Sequence, residues 1–202
     1  MNTSSQVSIY NMALAAVGVS RFVQSPTEGS LQANTCNVFW QSVIDQCLQK
    51  VPWGFAMRFS ALQEITKVTP GWHKTYSYPA DCLQARSIVH HEHHRHWRES
   101  KIPYAVVENE AGGGLAIATN HPTPTLAYTA RINNMGLWSP AFVNTVVLLL
   151  ASKIVAPLSA NPKYAETAGK AYEAAMLDAA ALSMNESSER EELESEFITA
   201  MR

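Results

Sequence analysis

The residues best able to do chemistry stand in one run, His90-His91-Glu92-His93-His94-Arg95-His96. Imidazoles and a carboxylate are ligands for zinc or nickel. On an extended strand, alternation would put His91, His93 and Arg95 on one face and His90, Glu92, His94 and His96 on the other. The run falls between two strand-like patterns, where an exposed hairpin tip is expected, and no second cluster of Cys, Asp or Glu accompanies it. A solvated tip with no metal is therefore the expectation. Facing another chain or DNA, these imidazoles would form a conditional basic patch near about pH 6. A small metal-binding module or metal-dependent enzyme built on residues 90–96 is the alternative.

Other chemistry finds little footing. Gly112-Gly113-Gly114 lacks the Lys and Ser or Thr of a phosphate loop and precedes a strand pattern instead of a helix, so it is a turn. The three aspartates, Asp45, Asp81 and Asp178, are scattered, and there is no Gly-x-Ser-x-Gly elbow. Carboxylates cluster only near the C-terminus, where a solvated helix face is the default, so no paired acid and base for glycoside cleavage is expected. Cys36, Cys47 and Cys82 are odd in number with no Cys-x-x-Cys spacing, which argues against a disulfide framework and for a reducing cytoplasm. The expectation is a protein that is not an enzyme and carries no cofactor.

The bulk composition suits one domain or one domain with an insertion: 202 residues, 47% apolar, 16% charged, net charge -2. No global charge points to nucleic acid or a membrane surface. From Glu186 onward, however, six glutamates stand against Arg190 and Arg202, leaving 13 basic and 11 acidic residues in the body. The N-terminal Met-Asn-Thr-Ser-Ser-Gln lacks a signal peptide's basic patch and apolar run. The most apolar stretch, Ala141 to Ala156, holds Asn144, Thr145, Ser152 and Lys153 and falls short of the roughly 20 apolar residues a membrane span needs, so a buried helix is expected.

The elements that would position these residues divide at Val51 to Leu62. Ile9, Met12, Ala13, Ala16 and Val17 make one helical face, with Ser4 or Ser5 as cap and Gly18 as stop. After a loop at Ser25 to Ser30, with Thr27 or Ser30 as cap, a second stripe of Ala33, Cys36, Trp40, Val43, Ile44, Cys47, Leu48 and Val51 predicts a longer helix. Pro52 ends it. Pro52, Trp53 and Phe55, with Phe59, are expected to fill the seam between two layers.

Short β-rich runs follow: Leu62 to Val68, Thr75 to Tyr78, Gln84 to Val89, Ile102 to Val107, Leu115 to Thr119, and a half-buried alternation at Leu126 to Ile132. Five or six such runs predict an antiparallel sheet with one wet face. Ser139-Pro140 then opens a helix that is apolar nearly all round and ends at Pro157, the expected central helix. Asn161-Pro162 opens another, striped by Tyr164, Ala168, Ala171, Tyr172, Ala175, Ala179 and Leu182. The fold class expected is α+β: a helical bundle of about four helices (residues 1–58 and 139–185), an inserted antiparallel β-sheet region (59–138), and an extended tail (186–202). That tail has only Leu193, Phe197, Ile198 and Met201 as apolar anchors, and should order on a partner.

Four stretches together resemble the tail tubular protein A family of head-to-tail adaptors found in short-tailed phages. They are Ile9-Tyr10-Asn11-Met12-Ala13-Leu14-Ala15-Ala16-Val17-Gly18, Pro52-Trp53-Gly54-Phe55-Ala56, the arm carrying Leu62, and Tyr78-Pro79-Ala80-Asp81-Cys82-Leu83. The resemblance spans about the first 90 residues, with a compatible C-terminal pair of helices. It implies a helical bundle with a β-rich insertion, in a twelve-subunit ring between portal and tail nozzle in the virion. The ring would surround the DNA channel and touch passing DNA without sequence readout. It also implies that Leu193, Phe197, Ile198 and Met201 dock on the portal, and that the tips at His91, His93, His94 and His96 and at Glu108 to Gly114 face the nozzle. The histidines themselves lie outside the family pattern. The protein would be made in the host cytoplasm, with no membrane partner.

Overall fold

A computed structural model describes residues 5–66, 69–90, 97–109, 113–158 and 162–186. Among the described residues four helices, α1 (Gln6–Ala16), α2 (Leu31–Lys50), α3 (Pro140–Leu158) and α4 (Pro162–Glu186), enclose seven strands in the chain order. The strands are β1 (Met57–Ala61), β2 (Glu64–Ile65), β3 (Lys74–Ser77), β4 (Cys82–His90), β5 (Tyr104–Glu108), β6 (Leu115–Thr119) and β7 (Pro124–Ala130).

The helix ends follow local chemistry. The Ser5 hydroxyl accepts the Ser8 amide, Ser30 accepts that of Ala33, and Ser139 accepts that of Phe142, each satisfying an amide that the helix leaves orphaned. After α1, Gly18 takes a φ of 75°, a left-handed value that suits glycine. Pro157 lies within α3, which runs on to Leu158, so it does not end the helix where the sequence suggested. Within the last turn a proline forfeits one amide bond without a following turn to disrupt.

The expected single inserted sheet is corrected: the strands form two antiparallel sheets, ordered β1-β7-β4 and β2-β3-β6-β5. The chain changes sheet between Thr119 and Pro124, where Pro122 and Pro124 supply no amide to prolong a ladder. Here the Tyr76 hydroxyl donates to the His121 and Pro122 carbonyls. Among the described residues an isolated bridge, Ile88 to Ile102, links β4 to the segment that enters β5. The strand read as Leu62 to Val68 is also displaced: β1 precedes Leu62, and β2 is two residues long. As the centre of its sheet, β7 is buried at all seven positions, not half-buried.

α3 packs against α1, α2 and α4. It is long and apolar enough to cross a bilayer, yet Phe142, Val146, Leu150 and Ile154 are fully buried inside the bundle. In α1 the buried face is Ile9, Tyr10, Ala13, Leu14 and Val17, while Met12 and Ala16 are exposed. Tyr10 takes the inward place because Gln6 donates to its hydroxyl and the hydroxyl donates to Asn37, which lets a polar tip sit beside core.

Candidate functional site

At the joint, Pro52 forces Val51 to extended geometry (φ -125°, ψ 139°), stopping α2 with its last carbonyls unpaired. Side chains supply the partners. The Trp53 indole donates to the Cys47 carbonyl at 2.9 Å, and Arg86 donates to the carbonyls of Leu48 at 3.2 Å and Gln49 at 2.8 Å. Arg86 also reaches Thr129 on β7. The register of β4 against β7 slips between Ala85 and Ser87, so Arg86 is the extra residue of a bulge, which re-aims its side chain toward α2. A second slip, between Cys82 and Gln84, leaves Leu83 to accept from Gln49. One bulged strand thus caps a helix. Burial lowers the Arg86 pKa from its usual value.

An aromatic chain crosses the molecule from this joint. Phe142 meets Trp53, Phe55 and Trp138 edge-on at 5.0, 5.2 and 5.0 Å; Trp138 contacts Trp40, and Trp40 contacts Tyr10. Trp53 and Phe55 pack together at this joint, and the Pro52 carbonyl accepts from Ser183 of α4. Phe59, on β1, is 41% exposed. Beside the seam lies a groove of about 230 Å³, lined by Trp53, Phe55, Pro140, Ala179 and Leu182 among others. A second, open hollow of about 520 Å³ lies at Lys101 to Pro103 and Thr119 to Pro122.

The titratable groups near these features are structural. Burial pushes the thiols of Cys36 and Cys47 up to about 11 and about 12, making them poor nucleophiles, and raises Cys82. Asp81 pairs with Arg58 at 2.6 Å and accepts from Tyr128, and Asp45 pairs with Arg131 at 2.8 Å. Two of the three aspartates thus brace strands and helices. The turn that leads into β4 is closed by the Cys82 amide on the Pro79 carbonyl. Among the described residues no three His, Cys, Asp or Glu side chains gather to hold a metal ion.

Other candidates from the sequence lie outside the described residues: His91, His93, His94 and His96, and Leu193, Phe197, Ile198 and Met201. So does part of the β5–β6 tip, where the Asn109 amide bonds the Gly114 carbonyl. Arg86 went unnoticed in the sequence because nothing in a strand pattern marks a bulge. Compared with known proteins, the chain matches no family model and no curated protein.

Proposed function

We propose that this chain is a structural subunit of a short-tailed phage virion, a head-to-tail adaptor whose copies form a ring between portal and tail nozzle around the DNA channel. The observation that carries this reading is where the resembling stretches fall in the fold; the Leu62 amide, on the arm, bonds the Pro124 carbonyl at the start of β7. Asn11, in the first, exchanges two hydrogen bonds with the Val23 backbone and pins the α1–α2 loop. Pro52 to Ala56 forms the joint, and Asp81 ties β1 to β7. These stretches are folding junctions of the chain, which tie its helices to its two antiparallel sheets.

On this reading the acidic segment after Glu186 docks on the portal through Leu193, Phe197, Ile198 and Met201, and the strand tips point to the nozzle. DNA passes without being gripped, which a near-neutral body permits. The test mixes purified protein with the cognate portal and looks for a ring on its vertex by electron microscopy. The expected result is a stoichiometric collar; no complex at any ratio overturns the proposal.

A further inference from the structure

At one end of the sheet β2-β3-β6-β5, segments distant in sequence meet around a hollow. The first residues of β3 and β5, Lys74 and Tyr104, both pair with Thr119, the last residue of β6. The chain entering β5 and the turn leaving β6 therefore lie side by side, and the open hollow of about 520 Å³ is lined by residues 101–103 and 119–122. Hydrogen bonds within the chain fix its walls. The buried Thr119 hydroxyl donates to the Pro103 carbonyl at 2.9 Å and ties the two runs together, while the Tyr76 hydroxyl donates to the carbonyls of His121 and Pro122.

What these bonds leave over decides the ligand. Every side chain in the lining that can accept is already taken by a backbone amide: Asn120 Oδ1 by that of His73 at 2.8 Å, the Thr119 hydroxyl by that of His121 and His121 Nδ1 by that of Thr123, the last two at 3.3 Å. With Oδ1 held, the exposed Asn120 has its carboxamide nitrogen to offer, a donor only. Lys101 is exposed too and, among the described residues, makes no ion pair. No acidic side chain lines the hollow: Glu64, on neighbouring β2, is paired with Lys74, and Glu99 lies outside the lining. Donors with no competing carboxylate select a ligand rich in acceptors and negative in charge.

We propose that this hollow binds a phosphate ester, with its oxygens on the Lys101 ammonium and the Asn120 carboxamide nitrogen and its organic part against Ile102, Pro103 and Pro122. Such a site is independent of the adaptor role. Donors on two separate runs suit a tetrahedral group, which spreads its acceptor oxygens in several directions, better than a carboxylate, whose two oxygens share a plane. The volume exceeds the needs of a bare phosphate and falls within the roughly 300–1,000 Å³ of small-molecule sites. One ammonium and one amide in a hollow open to water make a weak site, with a dissociation constant of about 1 mM.

The test titrates the full-length protein with thymidine monophosphate, thymidine, acetate, and a short thymidine oligonucleotide lacking a terminal phosphate, each to about 10 mM in nucleotide or ion. Binding is followed in nitrogen-resolved NMR spectra at the Asn120 side-chain amide and the His73 backbone amide. Both signals are expected to shift with the monophosphate and to stay in place with thymidine or acetate. Asn120→Asp keeps the oxygen that holds His73 but turns the donor into a negative charge, and Lys101→Gln removes the cation. Read at His73, each variant is expected to bind at least about tenfold more weakly, with thermal melts checking that both fold. The oligonucleotide separates the two sources of the ester: shifts with the monophosphate alone assign a small phosphomonoester, and shifts with the oligonucleotide assign the phosphodiester backbone of a strand. No shift with either, equal shifts with thymidine or acetate, or undiminished affinity in a folded variant overturns the site.

Discussion

Arg86 shows how one side chain can decide a boundary. Its guanidinium serves two carbonyls at the end of α2 and a hydroxyl on β7. Replacing it with alanine leaves these acceptors in a half-buried place, and Arg86→Ala should cost about 2–4 kcal/mol in urea unfolding. The buried thiols and phenols set a second residue-scale expectation. Cys36 and Cys47 are raised from 9.0 to about 11 and about 12, and Tyr10 from 10.0 to about 12, all chiefly by burial. Between the unfolded and folded values the native state keeps protons that the unfolded chain has released, so stability falls as pH climbs from about 9 toward 12 and is flat with respect to these groups below 9. Denaturation midpoints across that range check the sign. A thiol reagent at neutral pH should label Cys36 and Cys47 only after denaturant is added.

At the scale of elements, α3 binds the layers together. Its Phe142 is the meeting point of Trp53, Phe55 and Trp138, so Phe142→Ala opens a cavity among three rings and should cost about 3–5 kcal/mol. Loss of the cap in Ser139→Ala is expected to cost only about 1 kcal/mol, since one amide bond is removed and no packing changes. Calorimetric melting of the two variants should separate them clearly, and equal shifts would contradict the hub role of Phe142. The strands behave differently: β4 does not stand apart from the helices but reaches α2 through its bulges, so the joint is built from both sides.

For the whole molecule, the adaptor reading has residues 186–202 serve the portal and not the fold, so removing them should change the unfolding free energy by no more than about 0.5 kcal/mol. On the adaptor reading the same truncation abolishes portal binding, which co-sedimentation with the portal checks. Equal affinity for the shortened chain would remove the docking role from Leu193, Phe197, Ile198 and Met201. Protein purified without an affinity tag should hold no stoichiometric transition metal; finding one would revive the metal reading of residues 90–96.

Helix positions and their starting caps were legible in the amino-acid order, because a 3.6-residue repeat and a serine before it act locally: Ser30, Ser139 and the stop at Pro52 need only near neighbours. Trp53 stands out in the sequence as a large ring beside a helix break, but its contact with Phe142 does not. The sharing of seven strands between two sheets, the exposure of Phe59, the full burial of β7 and the capping by Arg86 were not legible there. Each depends on which distant strand lies alongside, and pairing partners are chosen by the packing of the whole chain, not by the residues of one strand. The tertiary structure alone shows that Leu31 and Val38 on α2 and Leu177 and Met184 on α4 stay exposed, because exposure is a property of what else has folded around a helix.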